Sequence, residues 1–122
     1  MRIYESAENY LETILILKKR LGSVRSIDIA TELSVSKPSV SVAMKNLRTN
    51  GYIEIDEDGH IKLLDLGYDI AQKMLERHTL LTTWLINLGV SPEVATEDAC
   101  RIEHVISEET FEALKTHACK MN

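Results

Sequence analysis

The sequence predicts a mainly α fold, an N-terminal winged helix-turn-helix followed by a helical domain. Two short helical segments, 26–33 and 37–50, meet at a tight turn, Leu33-Ser34-Val35, and the second is polar on its outer face. Two alternating stretches follow, 52–55 and 60–64, on either side of Asp58-Gly59, which is a hairpin signal. From Asp65 onward the remaining segments all carry helical start and stop signals.

The first element is a helix over 5–21. Ala7, Tyr10, Leu11, Ile14, Leu15 and Leu17 form its apolar stripe. Glu5, Glu8 and Glu12 lie toward its start and Lys18-Lys19-Arg20 close it, a charge order that suits the helix dipole. Gly22 is the stop. Ser26 is the expected cap of the second helix, with Asp28 in its first turn. Ser36 caps the third, and Pro38 sits in its first turn, where a missing N–H costs nothing. Val40, Ala43, Met44 and Leu47 are its inward positions and Gly51 ends it. After the hairpin, Asp65 is the candidate cap of a long helix over 66–88 that ends at Gly89. Ser91-Pro92-Glu93 opens a helix to about 106, and Ser107-Glu108-Glu109 opens a last one over 108–117. The expected division is an N-terminal winged helix-turn-helix, 1–65, and a C-terminal helical part, 66–122. The second part is too small and amphipathic to stand alone, which predicts that its apolar face is covered by a second subunit.

Composition sets bounds on function. The chain has 122 residues, 44% hydrophobic and 27% charged, a globular balance. Its longest apolar run, Ile14-Leu15-Ile16-Leu17, cannot span a bilayer, and Met1-Arg2-Ile3-Tyr4-Glu5 lacks the apolar core of a signal peptide, so a cytoplasmic protein with no membrane partner is expected. Two cysteines, Cys100 and Cys119, are too few for a disulfide framework. Net charge is −5, yet residues 18–48 hold seven basic against two acidic side chains, a local +5 that leaves −10 for the remainder. Such a footprint steers a domain to phosphate. Lys18, Lys19 and Arg20 are also ordinary helix-end chemistry. Arg25, Lys37, Lys45 and Arg48, with Ser36, Pro38, Ser39 and Ser41, are the candidate DNA contacts. The wing is acidic, with Glu54, Asp56, Glu57 and Asp58, and is expected to avoid phosphate.

Cys100, Glu103 and His104 fall at positions i, i+3 and i+4 of one helix, hence on one face. A thiol, a carboxylate and an imidazole together suit a borderline divalent ion. Three ligands from one helix cannot enclose an ion, so others must come from elsewhere. His78 in the long helix and Asn9 with Glu12 on the first are the candidates. Each has a bland alternative. Cys100 alone reads as a small core residue, His78 as a packing histidine and Glu12 as a solvated helix residue, with Glu5 and Glu8 as alternatives to Asn9. His60, His117 and Cys119 read as surface or packing residues.

Asn9-Tyr10-Leu11-Glu12 with Ile14, the helix of Ser36-x-Pro38-Ser39-Val40-Ser41, Glu76-Arg77-His78 after a wing, and Cys100-x-x-Glu103-His104 together resemble the diphtheria-toxin-repressor family. These are metal-dependent transcriptional repressors, with iron-responsive and manganese-responsive branches. The resemblance covers essentially the whole chain. It implies metal ligation by Glu103, His104 and His78, as in both branches. It implies a Cys100 ligand as in the iron branch and a Glu12 ligand as in the manganese branch. Asn9 stands where the manganese branch has aspartate and the iron branch methionine, and offers only a neutral amide oxygen. Thr82 and Thr96 fall where the iron branch has ligands of an ancillary site, so that site is expected to be altered or lost. A chain without the SH3-like third domain of the iron branch is also implied.

The expectation is a homodimeric repressor of metal-homeostasis genes that binds a palindromic double-stranded operator, with Mn, Fe, Zn or Co as co-repressor. Metal identity and the number of ions stay open. One rival is a winged-helix regulator that senses no metal. The other is a small zinc hydrolase, which the absence of H-E-x-x-H and the lack of room for a substrate cleft disfavour.

Overall fold

Start and stop signals place the elements. In the computed structural model the backbone is described for residues 5–121 and side chains for 6–118, so the side chains of Glu5 and Cys119 lie outside the described residues. The elements are α1 (Glu5–Leu21), α2 (Ser26–Leu33), α3 (Lys37–Thr49), β1 (Ile53–Ile55), β2 (Ile61–Leu63), α4 (Asp65–Asn87), α5 (Pro92–Val105) and α6 (Glu108–Met121). They fall into two compact units, 1–73 and 74–122, with the division inside α4.

In the first unit α1 packs on α2, α3 and β2, and α3 packs on α2 and β1. Of the apolar stripes predicted from periodicity, Leu11, Ile14, Leu15 and Leu17 on α1 and Val40, Met44 and Leu47 on α3 are buried, while Ala7, Tyr10 and Ala43 are half-buried; Ile29 and Ala30 of α2 are buried as well. Ser36 caps α3 as expected, its Oγ accepting the Ser39 N–H at 3.3 Å. The start of α2 differs from expectation. Arg25, not Ser26, is the N-cap. Arginine has no acceptor to offer the first turn. The Asp28 carboxylate instead reaches back and accepts the Arg25 N–H at 2.9 Å. Helix α3 stops one residue short of expectation, at Thr49, with Asn50 as its cap.

The wing is an antiparallel pair in the register Ile53↔Leu63, Glu54↔Lys62, Ile55↔Ile61. Its strands have three residues each, fewer than expected: Tyr52 and Leu64 fall outside the pairing, and His60 is taken into the turn. Asp56 builds that turn. Its Oδ1 accepts the N–H groups of Asp58 and His60, both at 2.9 Å. Gly59 takes φ +83°, a conformation costly for other residues. The Ile61 N–H donates to the Val24 carbonyl at 2.7 Å, which ties the wing to the connection between α1 and α2.

In the second unit Met74, Leu81, Ala95, Ala99 and Phe111 are buried. Ser91 caps α5, accepting the Val94 N–H at 3.4 Å. Ser107 does the same for Thr110 at 3.1 Å at the start of α6. Helix α6 runs four residues beyond the expected end, from 117 to Met121. Among the described residues no helix is long and apolar enough to cross a membrane.

Candidate metal centre and nucleic-acid interface

The α5 spacing does bring its three side chains together. Ligand atoms of Cys100, Glu103 and His104 all lie within 4.8 Å of one another. Helix α4 supplies His78, whose Nδ1 lies 3.1 Å from Glu103 Oε2, while His104 Nε2 lies 3.3 Å from Glu103 Oε1. The Glu103 carboxylate is thus flanked by two imidazoles, one on each oxygen. Glu103 is fully buried and the His104 side chain is 3% exposed. A buried carboxylate needs compensation from hydrogen bonds, counter-charge or metal.

This donor set fits a divalent ion. Ligands about 2.0–2.3 Å from an ion sit roughly 3–4 Å from each other, the spacing seen between Glu103 and both histidines. One sulfur, two nitrogens and a carboxylate match a borderline cation better than a hard one. The bland reading of Glu12 fails, since it is 4% exposed and not a solvated helix residue. Asn9 is half-buried one turn earlier, and its carbonyl accepts the Thr13 hydroxyl at 2.8 Å.

Arg77 was not singled out by the sequence reading. It is buried, and its Nη1 donates to the Glu103 carbonyl at 2.9 Å and the Ile106 carbonyl at 3.1 Å. Its guanidinium stands 5.3 Å from the Phe111 ring centre. It therefore satisfies the carbonyls at the end of α5, the turn that carries Glu103 and His104. A signal existed: Arg77 shares the helical phase of Met74 and Leu81, and a cation in a buried stripe must find acceptors.

The DNA candidates all belong to the first unit. Arg25, Ser36, Lys37, Pro38, Ser39, Ser41, Lys45 and Arg48 are all exposed. Ser36 is already engaged, since its hydroxyl caps α3 and donates to Ser39 Oγ at 2.8 Å. Val42 and Asn46 are exposed on the same helix and were not among the candidates. In the wing, ligand atoms of Asp56, Asp58 and His60 also come within 4.8 Å. They are exposed or half-exposed, and Asp56 is occupied by the turn it builds.

A winged helix-turn-helix followed by a helical unit that gathers a thiol, imidazoles and a buried carboxylate is the architecture of a DNA-binding transcriptional regulator. Residues 2–61 match the N-terminal DNA binding domain of the iron dependent repressors, and residues 65–120 match their metal binding and dimerisation domain. The chain belongs to the iron dependent repressor family. It is 40% identical over 111 residues to the transcriptional regulator MntR of Escherichia coli O6:H1, a match covering 91% of this chain and 72% of that protein. Among solved structures it resembles the manganese regulator SloR, at 28% identity and TM-score 0.81, over 96% of this chain and 54% of that one. It also resembles a manganese-dependent transcriptional repressor in complex with manganese, at 26% identity and TM-score 0.84, over 92% and 52%. The chain spans about half the length of these two solved structures. Neither the regulator that senses no metal nor the zinc hydrolase gains support from these similarities.

Proposed function

We propose that this protein is a metal-dependent repressor of metal-homeostasis genes, working in the cytosol, with a divalent transition metal as co-repressor. The observation that carries the reading is the convergence of His78, Cys100 and His104 on the buried Glu103. When bound, the metal supplies positive charge to a site that buries a carboxylate. The chain's part is to hold a thiolate, two neutral imidazoles and a carboxylate at ligand spacing. Glu12 and Asn9 of α1 are the further ligands that the family resemblance implies. Residues 1–65 would bind DNA, and 66–122 would bind metal and dimerise. Exposed Ile86, Leu88, Val94 and Val105 offer apolar surface for a second copy. A symmetric dimer would read a palindrome with half-sites about one helical turn apart, or a multiple of it.

The thiolate of Cys100 favours zinc, iron or cobalt, while Glu12 and the likeness to manganese regulators favour manganese. DNA binding compared across Mn²⁺, Fe²⁺, Zn²⁺ and Co²⁺ under reducing conditions decides between them. Glu103→Ala and His104→Ala should each abolish the metal response of DNA binding and leave a folded dimer. A variant that still responds to metal refutes the ligand assignment.

A further inference from the structure

The outer face of α3 carries one residue that neither the core nor phosphate chemistry uses. At about 100° per residue, Val42 lies nearly opposite the buried Val40, Met44 and Leu47. It is 62% exposed. Its neighbours at three and four residues, Pro38, Ser39, Lys45 and Asn46, are all exposed. An isopropyl group thus stands at the centre of a mostly polar, basic surface. A lone exposed valine is ordinary on most helices. This one occupies the middle of the face that a helix-turn-helix directs into the major groove, with Lys45 one turn along to hold the phosphates.

The chemistry of the groove then selects the partner. Base edges there present hydrogen-bond donors and acceptors, with one apolar exception, the C5 methyl of thymine. An isopropyl group against a guanine or cytosine edge would strip water from polar atoms and return no hydrogen bond. Against a thymine methyl it removes apolar surface from water on both partners. We propose that Val42 is a specificity-determining residue that reads the methyl of one thymine in each half-site. The proposal rests on the DNA-binding reading above and goes further by naming the base.

The test uses the full chain with each of Mn²⁺, Fe²⁺, Zn²⁺ and Co²⁺ under reducing conditions. Bound duplexes are selected from a random-sequence pool, and each thymidine of the selected site is then replaced in turn by deoxyuridine, which removes only the methyl. At one thymine per half-site the loss should be about fourfold, the worth of one buried methyl. Val42→Ala, which alters both half-sites of the dimer at once, should weaken binding to the thymine site by about the square of that factor, roughly 16-fold, and should no longer distinguish thymine from uracil at that position. Unchanged thermal unfolding of Val42→Ala will show that the fold is intact. No enrichment with any metal overturns both this proposal and the DNA-binding reading. An enriched site indifferent to methyl removal overturns the Val42 assignment alone, as does a Val42→Ala variant that keeps the thymine–uracil difference.

Discussion

Among single residues, Arg77 has the clearest physical task. It is a buried cation whose two hydrogen bonds end on the carbonyls of Glu103 and Ile106, at the turn that carries two proposed ligands. Arg77→Met keeps much of the side chain's bulk and removes both donors, leaving those acceptors short of a partner in a buried setting. Hydrogen bonds from charged donors contribute about 1.5–3 kcal/mol each. A loss of about 3–6 kcal/mol in denaturant unfolding is therefore expected for the two bonds together. Residues that orient metal ligands typically change metal affinity about 10–100-fold when replaced. A metal titration of Arg77→Met should show a drop in that range, whereas a purely structural role would leave affinity unchanged in the folded fraction. Lysine is not an adequate substitute, because the planar fork reaches two carbonyls at once. The proposed ligand cluster on α5 was legible in the sequence, since spacings of three and four on one helix force Cys100, Glu103 and His104 to one face. Arg77 was missed because the sequence does not show which carbonyls a helix end leaves unsatisfied.

At the scale of elements, two joints hold the wing. Leu64 donates to the Tyr52 carbonyl at 3.0 Å, and a Cβ placed on Gly67 in the first turn of α4 would collide with that same carbonyl. On helix propensity alone Gly67→Ala should gain about 1 kcal/mol. The obstacle is backbone held by a hydrogen bond, so no rotamer relieves it. Overpacking of this kind costs about 1–3 kcal/mol, and the net effect expected in thermal unfolding is destabilisation. The second joint is Asp56. The N–H of His60, then that of Asp58 and the charges of His60 and Lys62, hold its carboxyl below its ordinary 3.8, against a smaller desolvation effect that raises it. A carboxylate with a lowered folded value stabilises the fold above its unfolded value, and that contribution fades as pH falls through the folded one. Wing order, followed by the His60 amide signal, should therefore hold above pH 3.8 and weaken below it. Asp56→Asn should remove that pH dependence. Element types and most boundaries were legible because caps and periodicity agree: Ser36, Ser91 and the Val40–Met44–Leu47 stripe all act as the pattern says. The failures lie where a local side-chain-to-backbone hydrogen bond decides. Asp28 reaching back to Arg25 moved the α2 cap, and the Asp56 turn took His60 out of β2.

On the scale of the whole molecule, charge is divided between a basic stretch and an acidic remainder. Residues 18–48 carry +5 on a chain of −5, so the basic surface works against a net charge of −10 on the remainder. Lys37→Ala or Lys45→Ala should weaken binding and flatten its salt dependence by about one phosphate contact per protomer; an unchanged slope would remove α3 from the interface. Two recognition surfaces of modest charge leave room for metal to set occupancy. A metal that neutralises the Glu103 cluster can strengthen DNA binding only by the amount it favours the DNA-competent form, about 1–3 kcal/mol or roughly 5–150-fold in typical coupled systems. Linkage makes that number testable from either side. If metal raises DNA affinity by some factor, saturating operator DNA must raise metal affinity by the same factor. Metal titration with and without a selected duplex should therefore return the ratio measured in the DNA-binding assay. With Glu103→Ala both ratios should fall to one together. Metal-enhanced DNA binding with metal affinity indifferent to DNA would mean that the ion acts on the duplex or on aggregation, and not through this site.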